Sequence, residues 1–154
     1  MPIEVPKDTW PGTVRSVTIG ATAEQGGTRS STVTVGGEKA MPFLSFEAAM
    51  PNRPVVAVEI KDHRPEDWSQ LLLQAWGSVV DDPAAWAKAA EQAGADLIQL
   101  SLSLNGANGQ PTTPAEAVAI VKAVLAATGL LLIVCGPGQT EVHNTLLVPM
   151  SEAP

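Results

Sequence analysis

The sequence contains a single cysteine and no tyrosine among its 154 residues, and it is poor in basic residues. One cysteine can form neither an internal disulfide nor a cysteine-based metal cluster, so we expect a reducing, cytoplasmic environment. Lys and Arg number 9 against 16 Asp and Glu, which gives a formal net charge of −7. This balance argues against nucleic-acid binding, which needs a basic surface, and against a polybasic membrane-surface segment.

Long hydrophobic runs are also missing. The longest, Leu130–Cys135, is far shorter than the roughly 20 residues that a membrane helix needs, so we expect no membrane partner. The hydrophobic share is nevertheless 45% and the charged share only 16%. Disordered chains have the opposite balance, so the composition indicates a folded protein with one substantial core.

The first fifty residues have β character. Two β-branched, partly alternating segments, Thr13–Ile19 and Ser31–Val35, each end at glycine and are joined by a polar loop. A Pro-Asn-Arg-Pro break follows at residues 51–54. We therefore predict an N-terminal β hairpin within residues 1–50, packed separately from a second domain over residues 51–154.

From residue 55 the pattern changes to strands alternating with helices. Helix N-termini are indicated by Asp82 before Pro83 and by a capping box from Thr113 to Glu116. Pro149 is expected to interrupt a last helix that Thr140 caps. The predicted strands are Val55–Ile60, Asp96–Leu104 and Leu130–Cys135, and the first two predicted helices are Glu66–Trp76 and Ala84–Ala93.

Strand–helix–strand units of this size form parallel sheets with right-handed crossovers. A complete (β/α)₈ barrel takes about 250 residues, and this chain carries about three βα units. The predicted fold class is therefore α/β, either a small doubly wound sheet or an incomplete TIM barrel.

Strand parity places polar side chains on one face of the predicted sheet. Gln99, Ser101 and Ser103 alternate with bulky apolar residues, Glu59 takes the equivalent place in the first strand, and Asn105 follows the second. The apolar faces belong under helices, so these five residues are predicted to point away from them, near the carboxyl ends of the strands, where α/β folds bind ligands. The alternative is a solvated sheet rim without a ligand.

Other reactive residues carry weaker signals. Asp62 and His63 could form half a metal site, but no second histidine at helical spacing supports it, so His63 and His143 are predicted to be solvated loop residues. Cys135 ends an apolar strand and is predicted to be a buried structural thiol. The tryptophans of the predicted helices are expected in the core or at an interface: Trp68, Trp76 and Trp86.

Several short motifs resemble one known family in combination. They are Ile19-Gly20-Ala21-Thr22, Gln25-Gly26-Gly27-Thr28-Arg29-Ser30, Val35-Gly36-Gly37-Glu38, Pro42-Phe43, Phe46-Glu47, Asn52-Arg53-Pro54-Val55 and Gly94-Ala95-Asp96-Leu97-Ile98. Together they resemble the small (delta) subunit of the corrinoid iron–sulfur protein, which is the delta subunit of the CO dehydrogenase/acetyl-CoA synthase system. The similarity covers most of residues 13–148.

The resemblance implies a (β/α)₈ barrel preceded by a β segment. It implies a large (gamma) partner subunit that carries an iron–sulfur cluster and a mobile corrinoid-binding domain, with the corrinoid (a cobamide) held between the subunits. The cobalt would accept a methyl group from methyltetrahydrofolate or a methyltetrahydropterin through a methyltransferase, then pass it to acetyl-CoA synthase in the reductive acetyl-CoA (Wood–Ljungdahl) pathway. This chain would act as an accessory subunit without catalytic or metal-binding residues of its own. Its expected corrinoid contacts are Glu59, Gln99, Ser101 and Asn105.

The chain also departs from that family. The family's chain is about twice as long, so we expect the N-terminal part of a barrel with two open strand edges, which favour pairing or aggregation. Two alternatives therefore stay open: a free-standing, pterin-binding methyltransferase-like barrel, and a non-catalytic structural fragment.

Overall fold

The computed structural model describes residues 3–4, 6–7, 10–41, 44, 46–105, 109 and 112–152. Pro42 and Phe43, which contribute to the resemblance, lie outside these residues. Within these residues there are five strands: β1 (Val17–Ile19), β2 (Val33–Val35), β3 (Ala57–Lys61), β4 (Leu97–Ser101) and β5 (Leu131–Cys135). Four α-helices accompany them: α1 (Gln70–Trp76), α2 (Pro83–Gln92), α3 (Pro114–Ala127) and α4 (Thr140–Glu152). No helix in the described ranges is both long enough and apolar enough to cross a membrane.

Strands β3, β4 and β5 form a parallel sheet in that order. Ala57 pairs with Leu97, which in turn pairs with Leu131, and the register continues without a bulge to the ends of the strands. The predicted α/β class and the three adjacent parallel strands are confirmed. The incomplete barrel stays a prediction, as does self-association through the outer edges of β3 and β5.

The main core lies between this sheet and the helices. Ile60, Ile98 and Leu100 are fully buried under α2 and α3, as their parity predicts. Trp86 on α2 is also fully buried, and Trp68 and Trp76 pack edge-on against it with ring centroids 5.3 and 6.0 Å away. The core placement predicted for the tryptophans is thus confirmed.

The N-terminal hairpin is confirmed as an antiparallel pair of β1 and β2, but its predicted separate packing is wrong. Val33 is buried against Leu97 and Leu131, on the sheet face that the helices leave free. These apolar side chains near the amino ends of the strands would otherwise face solvent. Gly20 permits the approach, since a Cβ there would lie 2.1 Å from Leu131 Cδ2. The division at residue 50 remains a prediction.

Arg29 fastens the hairpin to the end of α3 and to the residue before β5. Its Nη1 donates to the carbonyl oxygens of Leu125, Thr128 and Leu130 at 3.2, 3.1 and 3.3 Å. The last carbonyls of a helix have no partners within the helix, so this guanidinium replaces the water they would otherwise bind. We call this contact the Arg29 clasp.

Removing the clasp should destabilise the protein. We expect Arg29→Ala to lower the free energy of unfolding by about 2 kcal/mol, because charged hydrogen bonds to helix-end carbonyls are lost. Arg29→Lys should recover part of the loss through its single ammonium. Urea unfolding measures both, with the exposed Arg15→Ala as control; equal midpoints for Arg29→Ala and Arg15→Ala would contradict the clasp.

Helices α1 and α4 differ most from prediction. Helix α1 begins at Gln70 rather than at residue 66, because Ser69 caps it by accepting the Leu72 N–H. Helix α4 continues through Pro149 to Glu152, although an interior proline costs about 3 kcal/mol. Leu146 and Met150 on this helix are buried against the core, and their packing offsets that cost. The side chain of Thr140, predicted as a cap, lies outside what the structure describes, and its backbone is already helical.

Candidate functional site

Polar side chains occupy the carboxyl-terminal half of the sheet face opposite the helices. Glu59 and Gln99 are register partners, and Lys61 and Ser101 are partners one pleat further along. They share strand parity with Leu97, which faces the hairpin rather than the helices. The structure thus places three of the predicted site residues on one surface, and this surface also includes Lys61. We call these four residues the polar row.

Contacts within the polar row are long. Lys61 Nζ lies 3.9 Å from Glu59 Oε1, and Gln99 Nε2 donates to Ser101 Oγ at 3.5 Å. Beside them on β5, Ile133 pairs with Gln99 and is 40% exposed. Among the described residues the row therefore keeps most of its hydrogen-bonding capacity, next to an accessible apolar side chain.

Asn105 and Ser103 do not join this row. They line a cleft of about 420 Å³ at the carboxyl edge of the sheet, together with Lys61, His63, Pro65, Glu66, Asp67 and Gly109. Strand β4 ends at Ser101 rather than at Leu104, and the chain then turns toward the segment after β3. The predicted constellation is thus divided into the polar row and this cleft, with Lys61 bordering both.

Asp62 has a structural role that the sequence interpretation missed, since it was considered there only as half of a metal site. Its side chain is 2% exposed and accepts from Ser103 N–H at 3.0 Å, Ser103 Oγ at 2.8 Å and Thr112 Oγ1 at 3.1 Å. A fourth contact joins Asp62 Oδ1 to His63 Nδ1 at 2.9 Å. A buried carboxylate is tolerated only when hydrogen bonds replace its lost hydration, and here both oxygens have two partners.

The predictions for the other reactive side chains need correction. His63 is not a solvated loop residue, because its side chain is 22% exposed and bonded to Asp62. His143 is half-buried and lies so close to Gly136 that a Cβ there would be 2.4 Å from His143 Nδ1. Cys135 is partly exposed rather than buried, because it ends β5 on the face that the helices do not cover. In the part of the chain described, no three His, Cys, Asp or Glu side chains group as metal ligands.

A separate ion pair fastens the opposite end of the sheet. Arg53 donates through both terminal nitrogens to the Asp96 carboxylate, which also accepts the Val56 N–H at 2.8 Å. The hydrogen bond from Arg53, followed by that from Val56, lowers the pKa of Asp96. This pair links the segments before β3 and β4 and is remote from the polar row.

Comparison with known proteins gives one consistent family. The family model described as CO dehydrogenase/acetyl-CoA synthase delta subunit matches residues 16–149. The acetyl-CoA decarbonylase/synthase complex subunit delta of Archaeoglobus fulgidus is 36% identical over 147 residues, which are 95% of this chain and 32% of that protein. Its counterpart in Methanosarcina mazei is 33% identical over 144 residues, 93% of this chain and 33% of that protein. The one in Methanothermobacter thermautotrophicus is 32% identical over 149 residues, 96% and 36% of the two chains.

The chain spans about a third of the length of these curated relatives. The expectation that the family's chain is about twice as long as this one is therefore wrong, because the relatives are about three times as long.

Proposed function

Because the chain belongs to the CO dehydrogenase/acetyl-CoA synthase delta-subunit family, we propose that it serves an acetyl-CoA decarbonylase/synthase complex as a corrinoid-docking surface. Its expected partners are a large (gamma) subunit that carries the corrinoid and an iron–sulfur cluster, the methyltransferase that loads the methyl group, and acetyl-CoA synthase. The bound corrinoid supplies a cobalt that carries the methyl group between these partners. In this proposal the chain holds and orients the corrinoid.

One observation carries the proposal: among the described residues the sheet face is polar and partly exposed where the strands end, while the hairpin covers its other half. A corrinoid presents a broad, weakly polar ring edged with primary carboxamide arms. The Gln99 amide and the Ser101 hydroxyl can donate to and accept from such arms, and Ile133 offers apolar contact to the ring. The residues present therefore fit the group.

The role proposed for the polar row is positioning. Glu59 and Lys61 offset each other's charge, so the surface suits a ligand rim that carries amides rather than one of a single charge sign. The chemistry of a corrinoid belongs to its metal, and the protein contributes binding, orientation and electrostatics.

Substituting the row should weaken docking. We expect Gln99→Leu combined with Ser101→Leu to lower affinity for the corrinoid-loaded large subunit about 5- to 30-fold, the usual effect of truncating a few interface contacts. Isothermal titration calorimetry of the purified chain against that subunit measures it. The matched control is Gln92→Leu with Ser78→Leu, two exposed residues on the helical side.

Equal affinities for the two double variants, both folded by circular dichroism, would refute the docking surface. The methyltransferase-like alternative has its own test, a titration of the chain alone with methyltetrahydrofolate. Saturable binding without the large subunit would favour that alternative.

A further inference from the structure

Asp62 fixes which nitrogen of His63 carries the proton. The Ser103 N–H can only donate and bonds Asp62 Oδ2, and the hydroxyls of Ser103 and Thr112 also donate to Asp62. These donors suit an ionised carboxylate, which only accepts. His63 Nδ1, 2.9 Å from Asp62 Oδ1, is therefore the protonated nitrogen of the neutral ring. Nε2 is left with its lone pair.

His63 Nε2 has no hydrogen-bond partner among the described residues. The His63 ring forms part of the wall of the 420 Å³ cleft. A carboxylate that orients histidine through one nitrogen is the arrangement by which proteins present the other nitrogen to a ligand.

The chemistry of the cleft selects among ligands. Glu66 and Asp67 on its wall disfavour an anion, and the absence of a three-ligand cluster in the described ranges disfavours a metal ion held by this chain. Lys61 and Asn105 add donors that suit a carbonyl oxygen. A neutral ligand with N–H groups on one side and a carbonyl on the other matches this lining.

We propose that this cleft binds a primary carboxamide arm of the corrinoid, with His63 Nε2 accepting its N–H and Asp62 acting as the positioning residue. The choice of corrinoid as ligand rests on the proposed function. The cleft takes an arm rather than the ring, so it extends the docking surface beyond the polar row.

Two corrinoid probes separate amide recognition from ring binding. Dicyanocobinamide carries primary carboxamides, and its cobalt is blocked by cyanide on both faces. Dicyanocobyrinic acid heptamethyl ester has the same ring and axial ligands but no amide N–H. The chain has only two histidines, so ¹⁵N spectra of its imidazoles are simple to assign with His63→Asn and His143→Asn.

We expect the free chain to show His63 protonated at Nδ1 and unprotonated at Nε2. Dicyanocobinamide at millimolar concentration should shift the Nε2 resonance saturably, and His63→Asn should bind it about 5-fold more weakly, the worth of one hydrogen bond. Asn retains a donor toward Asp62, so the fold should persist, which thermal melting checks. His143→Asn should bind as the unsubstituted chain does, and the heptamethyl ester should bind the unsubstituted chain and His63→Asn equally.

A stationary Nε2 resonance, or equal affinities of His63→Asn and the unsubstituted chain for dicyanocobinamide, would overturn the inference. If the polar-row variants still lose large-subunit docking in that case, the proposed function survives alone. If His63→Asn weakens dicyanocobinamide binding while the polar-row variants dock normally, carboxamide binding in the cleft is supported and docking on the polar row is refuted.

Discussion

Replacing Trp86 with alanine is expected to lower the free energy of unfolding by about 4 kcal/mol, the largest loss predicted for any substitution here. Its indole is fully buried at the point where α2 meets the sheet, and the rings of Trp68 and Trp76 rest edge-on against it. Alanine would leave a cavity bordered by both rings. That cavity cannot close without moving α1. Urea unfolding followed by far-ultraviolet circular dichroism measures the change.

Phenylalanine at position 86 should be far milder. In the described structure the buried Nε1–H of Trp86 has no acceptor, and such an unpaired donor costs about 1–3 kcal/mol. Trp86→Phe removes that donor while keeping much of the ring volume, so we expect a loss of only about 1 kcal/mol. The exposed Trp10→Ala is the control. If Trp86→Ala and Trp86→Phe were equally destabilising, the cavity explanation would fail.

Asp62→Ala is expected to cost about 3 kcal/mol, the second largest effect. The substitution leaves the partly buried Ser103 N–H and the hydroxyls of Ser103 and Thr112 without their acceptor. Asp62→Asn should cost about 1–2 kcal/mol, because its amide keeps one accepting oxygen but turns an NH₂ toward a donor. Urea unfolding again gives the values.

Asp81→Ala provides the matched comparison. Asp81 is 56% exposed and pairs with Arg64 at the surface, where ion pairs contribute little, so its loss should stay within about 0.5 kcal/mol. A stability of Asp62→Ala equal to that of Asp81→Ala would show that the buried carboxylate network is not a stabilising element.

The parts of the fold that local pattern determines were predictable. The parity of β3 and β4 assigned Ile60 and Leu100 to the helix side and Gln99 to the free side, because successive side chains of a strand alternate. The caps of α2 and α3 were also readable, since a capping side chain bonds a backbone group two or three residues away.

What escaped prediction depends on contacts between distant residues. An Asp-His pair after a strand is indistinguishable from a solvated loop until folding brings Ser103 and Thr112, 41 and 50 residues away in sequence, to the carboxylate. The one usable signal was that Asp62 and Ser103 both follow neighbouring parallel strands, whose carboxyl ends converge. The passage of α4 through Pro149 likewise reflects tertiary packing overriding local preference.

The Arg29 clasp also has a kinetic consequence. Its three hydrogen bonds join positions 96 to 101 residues apart, whereas the parallel strands pair across 40 and 34 residues. Closing the longer loop carries the greater entropic cost, and non-local contacts of this kind tend to form late in folding. A contact absent from the folding transition state leaves the folding rate unchanged and slows only the reverse reaction. We therefore expect the hairpin to slow unfolding of the native sheet without changing how quickly the sheet folds.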